Sequence, residues 1–122
     1  MALNRPVVIS DSTHLSVGFV LMPGFTLLPF SAFVDALRLA ADEGDKSRQI
    51  NCQWTVMGPN LKAIASSAGI TIKPWELYRD PTEFDYIVVV GGLLDTTLKG
   101  SQHVVDYLQE ANDAHTPIIG LC

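Results

Sequence analysis

Cysteine is scarce in this chain of 122 residues, which contains only Cys52 and Cys122. Two isolated cysteines without the short spacing of a metal motif give no indication of a zinc centre or of a disulfide framework. Reduced thiols are typical of proteins that work in a reducing compartment. We therefore expect a cytoplasmic protein with two free thiols, no metal site and no bound cofactor.

Basic residues and long apolar runs are also lacking. Eight Lys and Arg stand against thirteen Asp and Glu, and the net charge of −5 argues against a nucleic-acid surface in this segment. The apolar run Val17–Met22 is far too short to span a bilayer and too short for a signal-peptide core. We expect neither DNA nor a membrane to bind residues 1–122 directly.

The composition is that of a folded protein, with 48% hydrophobic and 17% charged residues. The length allows at most one domain. Residues 1–13 are polar and aperiodic, which indicates a flexible tail ahead of a domain that covers residues 14–122.

The run Tyr86–Val90 organises the rest of the chain. It is apolar throughout, and β-branched residues favour extended backbone. Because it does not alternate polar with apolar residues, both faces should be buried, as in a central strand of a parallel sheet. Gly91 and Gly92 follow at once, where such a strand leaves the sheet and where ligands bind in open α/β folds.

Strands and amphipathic helices alternate along the chain, which predicts right-handed crossovers and a doubly wound parallel α/β sheet. Residues 74–81 are interpreted as a loop, with room for one helical turn at 75–78. The last strand ends at Cys122 without a following helix, so we expect the chain to cover only the front part of a larger domain. The predicted elements are strands at Leu15–Met22 and Cys52–Met57, a helix at Phe30–Ala41, short strands at Ala63–Ala65 and Ile70–Ile72, the central strand, a helix at Ser101–Ala114 and a strand at Ile118–Leu121.

Several stretches together resemble the ThiJ/PfpI branch of the class I glutamine amidotransferase-like superfamily, and in particular the amino-terminal domain of GlxA-type regulators of the AraC family. The resemblance depends on their order and spacing, and it implies a flavodoxin-like α/β sandwich. The stretches are Val17–Phe25, the helix Phe30–Ala41, Ala65–Ile70, Phe84–Gly92 and Pro117–Cys122.

The resemblance also implies site residues. Cys122 matches the reactive cysteine at the strand-to-helix elbow, where a lowered thiol pKa favours nucleophilic attack. Gly91 and Gly92 match the loop whose amides hold an oxyanion in active relatives. However, Pro29 occupies the position of the acid that hydrogen-bonds the cysteine, and the histidine partner would lie beyond residue 122.

Two further residues are candidates near this site. Asp95, in the loop after Gly92, is either a ligand contact or a solvated loop acid. His103, near the start of the second predicted helix, either approaches the same edge or remains solvated. We predict that a ligand site would be formed by Gly91, Gly92, Cys122 and Asp95.

The leading functional hypothesis is a non-catalytic, ligand-sensing and dimerising domain of an AraC-type transcription regulator. Its effector would be a small molecule, and DNA would be bound only by a helix-turn-helix region beyond residue 122. The alternative is a cysteine-dependent ThiJ/PfpI enzyme with isonitrile hydratase-like or glyoxalase-like hydrolytic activity. A third interpretation, an oligomerisation module without a ligand, predicts a collapsed pocket.

Overall fold

A computed structural model describes residues 15–41, 49–93 and 102–122. The predicted tail at 1–13 and Asp95 lie outside these residues. The elements in chain order are β1 Leu15–Leu21, α1 Leu27–Ala41, β2 Cys52–Gly58, β3 Ile64–Ala65, β4 Thr71–Ile72, β5 Glu76–Leu77, a 3-10 turn at Pro81–Glu83, β6 Tyr86–Val90, α2 Gln102–Asp113 and β7 Ile118–Leu121.

The main sheet has five parallel strands in the order β5-β2-β1-β6-β7. Because β2 lies on one side of β1 while β6 and β7 lie on the other, the strand order is that of flavodoxin-like proteins. The predicted doubly wound α/β fold is therefore confirmed. The predicted central strand, β6, is an interior strand that lies next to the middle strand β1.

The helices cover opposite faces of the sheet and form one hydrophobic cluster each. On the α1 face, Phe30 and Leu37 pack with Phe19, Val88 and other side chains of the strands. On the α2 face, the cluster includes Tyr107 and Ile87. Since Ile87 and Val88 are both fully buried, on opposite faces, the prediction of a strand buried on both sides is confirmed.

Helix α1 begins at Leu27, three residues earlier than predicted. Leu27 is partly buried against the same cluster as Phe30 and Val34, so it extends the apolar stripe by one turn. Pro29 is the third residue of the helix, where its missing N–H has no intrahelical partner to lose.

The segment interpreted as a loop at 74–81 contains a strand instead. Glu76 and Leu77 pair with Met57 and Gly58 to form β5 at the edge of the sheet, so the prediction of a helical turn at 75–78 was wrong. Two residues are too few to show an alternating pattern in the sequence, and the pairing comes from the exposed edge of β2. The two predicted short strands are confirmed as β3 and β4, and they pair as an antiparallel hairpin with Gly69 at φ +83° in its turn.

Candidate functional site

The carboxyl edge of the sheet is where a ligand site is expected in this fold. There the segment after β1 and the segment after β6 are hydrogen-bonded to each other. Thr26 N–H donates to the Gly91 carbonyl at 2.9 Å, and Leu93 N–H donates to the Gly24 carbonyl at 3.0 Å. These bonds close the crevice between β1 and β6 with backbone.

The hairpin of β3 and β4 supports the other side of the same segment. Gly24 N–H donates to the Ala65 carbonyl and Ser67 N–H donates to the Phe25 carbonyl, both at 2.8 Å. The buried Ser66 hydroxyl accepts hydrogen bonds from the amides of Ala68 and Ile70, each at 3.2 Å. Residues 24–26 are therefore held between two neighbouring segments like the middle strand of a small sheet.

The two glycines after β6 play different structural roles. A Cβ atom on Gly92 would lie 2.2 Å from the Gly24 carbonyl oxygen and 2.8 Å from the Thr26 nitrogen. A Cβ atom on Gly91 would meet only the Leu121 carbonyl oxygen, at 3.9 Å. The close approach of the two loops thus requires glycine at position 92 and not at position 91.

Cys122 lies beside Gly91 and Gly92, as predicted. Val90 and Leu121 are partners in the β6–β7 register, and Gly91 N–H donates to the Leu121 carbonyl at 2.8 Å. The Cys122 residue, next along the chain, is exposed. The Gly91 amide is thus occupied in the sheet. The Gly92 amide donates a hydrogen bond to no described residue.

A cavity of about 330 Å³ opens at the carboxyl edge of the sheet, beside the ends of β1 and β2. We call it the edge cavity. Its lining residues come from the end of β1, from the segment after β2 with its hairpin, and from the first turn of α2. They are Leu21, Pro23, Gly24, Pro59, Asn60, Lys62, Ala63, Ile64, Ala65, His103 and Val104.

A second cavity, of about 340 Å³, lies on the α2 face and is lined by Asp80, Asp106 and Glu110, among others. Two stacked tyrosines, Tyr78 and Tyr107, line it as well, with ring centroids 4.4 Å apart. The buried Tyr78 hydroxyl has no hydrogen-bond partner among the described residues, and burial raises its pKa to about 12.

Among residues 15–41, 49–93 and 102–122, no group of three or more Cys, His, Asp and Glu side chains could hold a metal ion. No helix in those ranges is long and apolar enough to cross a membrane.

No protein-family model matches the chain, and no curated protein matches it in sequence. Solved structures do match. An AraC family transcriptional regulator from Pseudomonas putida superposes with a TM-score of 0.70 at 25% identity, over 87% of this chain and 63% of that one. A ThiJ/PfpI family protein from Pseudomonas syringae gives a TM-score of 0.64 at 15% identity, over 100% of this chain and 48% of that one.

The chain has a ThiJ/PfpI-like fold. A DJ-1 superfamily protein from Agrobacterium tumefaciens shares the fold, with a TM-score of 0.58 at 20% identity, over 87% of this chain and 52% of that one. The resemblance to the domain of AraC-type regulators is thereby confirmed. The chain spans 63% of the length of the Pseudomonas putida regulator.

Within this ThiJ/PfpI-like domain, the predicted site residues and the edge cavity are neighbours and do not coincide. None of Gly91, Gly92 and Cys122 lines the edge cavity, and their binding role stays a prediction. His103 lines the edge cavity and is also exposed, so it lies at the carboxyl edge and remains solvated.

Sequence analysis missed the contribution of the segment after β2, which supplies Asn60, Lys62 and Ile64 to the cavity. A signal was available, because the carboxyl ends of parallel strands meet at one edge of the sheet. The Gly58-Pro59-Asn60 turn therefore had to emerge beside Pro23-Gly24.

Proposed function

We propose that this ThiJ/PfpI-like domain is a non-catalytic, ligand-sensing and dimerising domain of a cytoplasmic AraC-type transcription regulator. Its effector is a small molecule, and DNA is bound by a helix-turn-helix region beyond residue 122. The observation that carries the proposal is the match to the Pseudomonas putida regulator, at 25% identity over 87% of this chain.

The surroundings of Cys122 support a non-catalytic role. Activation of a cysteine nucleophile requires a nearby base or another group that stabilises the thiolate. Pro29, which by the resemblance stands at the position of the acid, has no side chain able to do this, and Cys122 forms no ion pair or hydrogen bond with a described side chain. Of the two glycine amides that match the oxyanion loop, the Gly91 amide already donates to the Leu121 carbonyl.

The edge cavity supports ligand sensing. Its volume of about 330 Å³ falls within the range of pockets that hold small molecules. Its lining joins three separate parts of the fold: the end of β1, the segment after β2 and the start of α2. A ligand that contacts all three would change how firmly they are held together, and a sensor domain needs such a response.

The test of the regulator proposal is selection of binding sites from random DNA by the full-length natural protein. We expect one enriched sequence, and we expect its enrichment to change when effector is present. The matched control is the same protein truncated after Cys122, which should select no sequence. Failure of the full-length protein to enrich any sequence would overturn the regulator proposal.

The cysteine-dependent enzyme is tested separately with isonitrile and glyoxal substrates. Turnover by the full-length protein should be no greater than that of its Cys122→Ser variant, with Cys52→Ser as the matched control. Turnover that depends on Cys122 and survives Cys52→Ser would replace the non-catalytic proposal.

Dimerisation is tested by light scattering of the protein as it elutes from a size-exclusion column. We expect the mass of two chains.

A further inference from the structure

We propose that the edge cavity binds a small aliphatic carboxylate, with its hydrocarbon part against the apolar wall and its carboxylate at Lys62. The inference rests on the proposed ligand-sensing function and names the class of effector. It also moves the binding site from the Gly91–Cys122 corner to the segment after β2.

The wall of the cavity is apolar. Leu21 and Val104 are 2% and 4% exposed, and they come from separate elements, β1 and α2. Ile64 also lines the cavity. It is half-buried and packs against the hydrophobic cluster on the α1 face. Burial of hydrocarbon against such side chains is the main source of affinity for small ligands.

The size and the lining limit the ligand further. A volume of about 330 Å³ is at the lower end of the range of small-molecule pockets, so the cavity suits a small ligand. None of the described residues that line it is Tyr, Phe or Trp, in contrast to the second cavity with its stacked tyrosines. Without an aromatic face for stacking, an aliphatic chain fits better than a planar ring.

The ionisable side chains at the rim, among the described residues, are basic. Of the described residues that line the cavity, Lys62 and His103 have basic side chains and none is Asp or Glu. Lys62 forms no ion pair with a described residue, whereas Arg79 is bound by the carboxylates of Glu76 and Glu83 at 3.3 and 2.8 Å. An ammonium group at an apolar opening, with no carboxylate among the described lining residues, is complementary to an anionic ligand.

The backbone places Lys62 at this position. Lys62 N–H donates to the Asn60 side-chain oxygen at 2.9 Å, which closes a local turn after β2. The turn sets the direction of the segment that continues through Ala63 into β3. Lys62 is thus held at the mouth by a short hydrogen-bonded loop, even though its side chain remains solvated.

The first experiment measures binding of straight-chain carboxylates from butanoate to hexanoate to the full-length natural protein, by amide chemical shifts. Each added methylene group should strengthen binding about fourfold until the cavity is filled, because burying one methylene contributes about 0.8 kcal/mol. The shifted amides should include Ala63, Ile64 and Val104. Affinity that does not depend on chain length would overturn the inference.

The second experiment tests the charge. Hexanoate should bind more tightly than hexan-1-ol or hexylammonium, and added salt should reduce its advantage. Lys62→Met keeps the hydrocarbon stem, and it should weaken hexanoate binding about three- to fivefold, as expected for a solvated ion pair. The matched control Lys73→Met removes an exposed lysine that does not line the cavity, and it should leave binding unchanged.

The third experiment fills the cavity. Ala63 is exposed and lines the opening, so Ala63→Phe should block hexanoate without disturbing the core. Ala68→Phe, in the exposed hairpin turn, is the control of equal size. Equal binding by these two variants would place the ligand elsewhere and overturn the assignment.

The outcomes separate this inference from the proposed function. Equal affinity for hexanoate, hexan-1-ol and hexylammonium would overturn the carboxylate class and leave ligand sensing intact. Tight binding of the carboxylate with shifts confined to Gly91, Gly92 and Cys122 would overturn the location only. DNA site selection, which needs no knowledge of the effector, decides the regulator proposal independently.

Discussion

The Gly24 carbonyl oxygen lies so close to Gly92 that a Cβ atom at position 92 would be 2.2 Å from it. This contact joins the segment after β1 to the segment after β6, and it is the tightest point of the carboxyl edge among the described glycines. The Gly24 oxygen is a backbone atom, so it cannot turn away from an added Cβ atom as the end of a flexible side chain would. The edge therefore depends on the absence of a side chain at this one position.

The Gly92→Ala variant should lose about 1–3 kcal/mol of unfolding free energy, because the added methyl group forces the two loops apart. Gly91→Ala is the matched control, with 3.9 Å to the nearest atom, and it should change stability by about 0.5 kcal/mol or less. Urea unfolding of both variants gives the comparison. Equal stability of the two variants would contradict the close approach.

The buried Ser66 hydroxyl should stabilise the hairpin that supports the same loop. Ser66→Ala removes the acceptor of two amide hydrogen bonds and should destabilise the protein by about 1–2 kcal/mol. Ser67→Ala, at an exposed neighbouring side chain, should have almost no effect. Hydrogen exchange adds a local readout, since Ser66→Ala should also speed exchange of the Gly24 and Ser67 amides.

Replacement of tyrosine by phenylalanine should have different effects on stability at Tyr78 and at Tyr107. Tyr107 O–H donates to the Arg79 carbonyl at 2.6 Å, so Tyr107→Phe should cost about 1 kcal/mol. The buried Tyr78 hydroxyl has no partner among the described residues, so Tyr78→Phe should be neutral or stabilising. Thermal unfolding of the two variants decides the point, and a larger loss for Tyr78→Phe would refute it.

Alkaline pH should weaken the fold through the same pair. Burial raises the pKa of Tyr78 from 10.0 to about 12, and burial, with Glu110 and Asp80 nearby, also raises the pKa of Tyr107. Between these values the unfolded chain loses phenolic protons that the folded chain keeps, so stability is complete below pH 10 and falls as the pH rises towards 12.

The measurement is urea unfolding at several pH values from about 9 to about 12, where free tyrosine titrates. The double variant Tyr78→Phe, Tyr107→Phe keeps every lysine and therefore controls for their titration. It should lose less stability over this range than the parent chain. Identical pH profiles for the two proteins would show that the tyrosines do not contribute.

Much of the fold follows from local patterns in the sequence. The continuous apolar run at Tyr86–Val90 predicted an interior strand, and Ile87 and Val88 are indeed buried on opposite faces. The stripe from Phe30 to Ala41 predicted a helix on one face of the sheet. Such patterns are readable because burial on a sheet or helix repeats at a fixed period.

Other features depend on pairing between distant segments. The two-residue strand at Glu76 and Leu77 exists because the end of β2 offers it free backbone groups. The contact between Gly24 and Gly92 joins residues far apart in sequence, and nothing near either glycine signals it. The edge cavity also joins distant segments. Local patterns place Lys62 in the loop before the hairpin, but they do not show that this loop lines a cavity with β1 and α2.

The sequence by itself determined the parallel α/β layers and brought Gly91 and Cys122 to one rim, because apolar periodicity decides which residues are buried and parallel strands end on the same side. Only the tertiary structure decided that backbone closes the crevice at Gly92 and that the open cavity lies beside Lys62. Those outcomes depend on how loops from separate strands pack against one another, and short-range patterns carry no information about such distances.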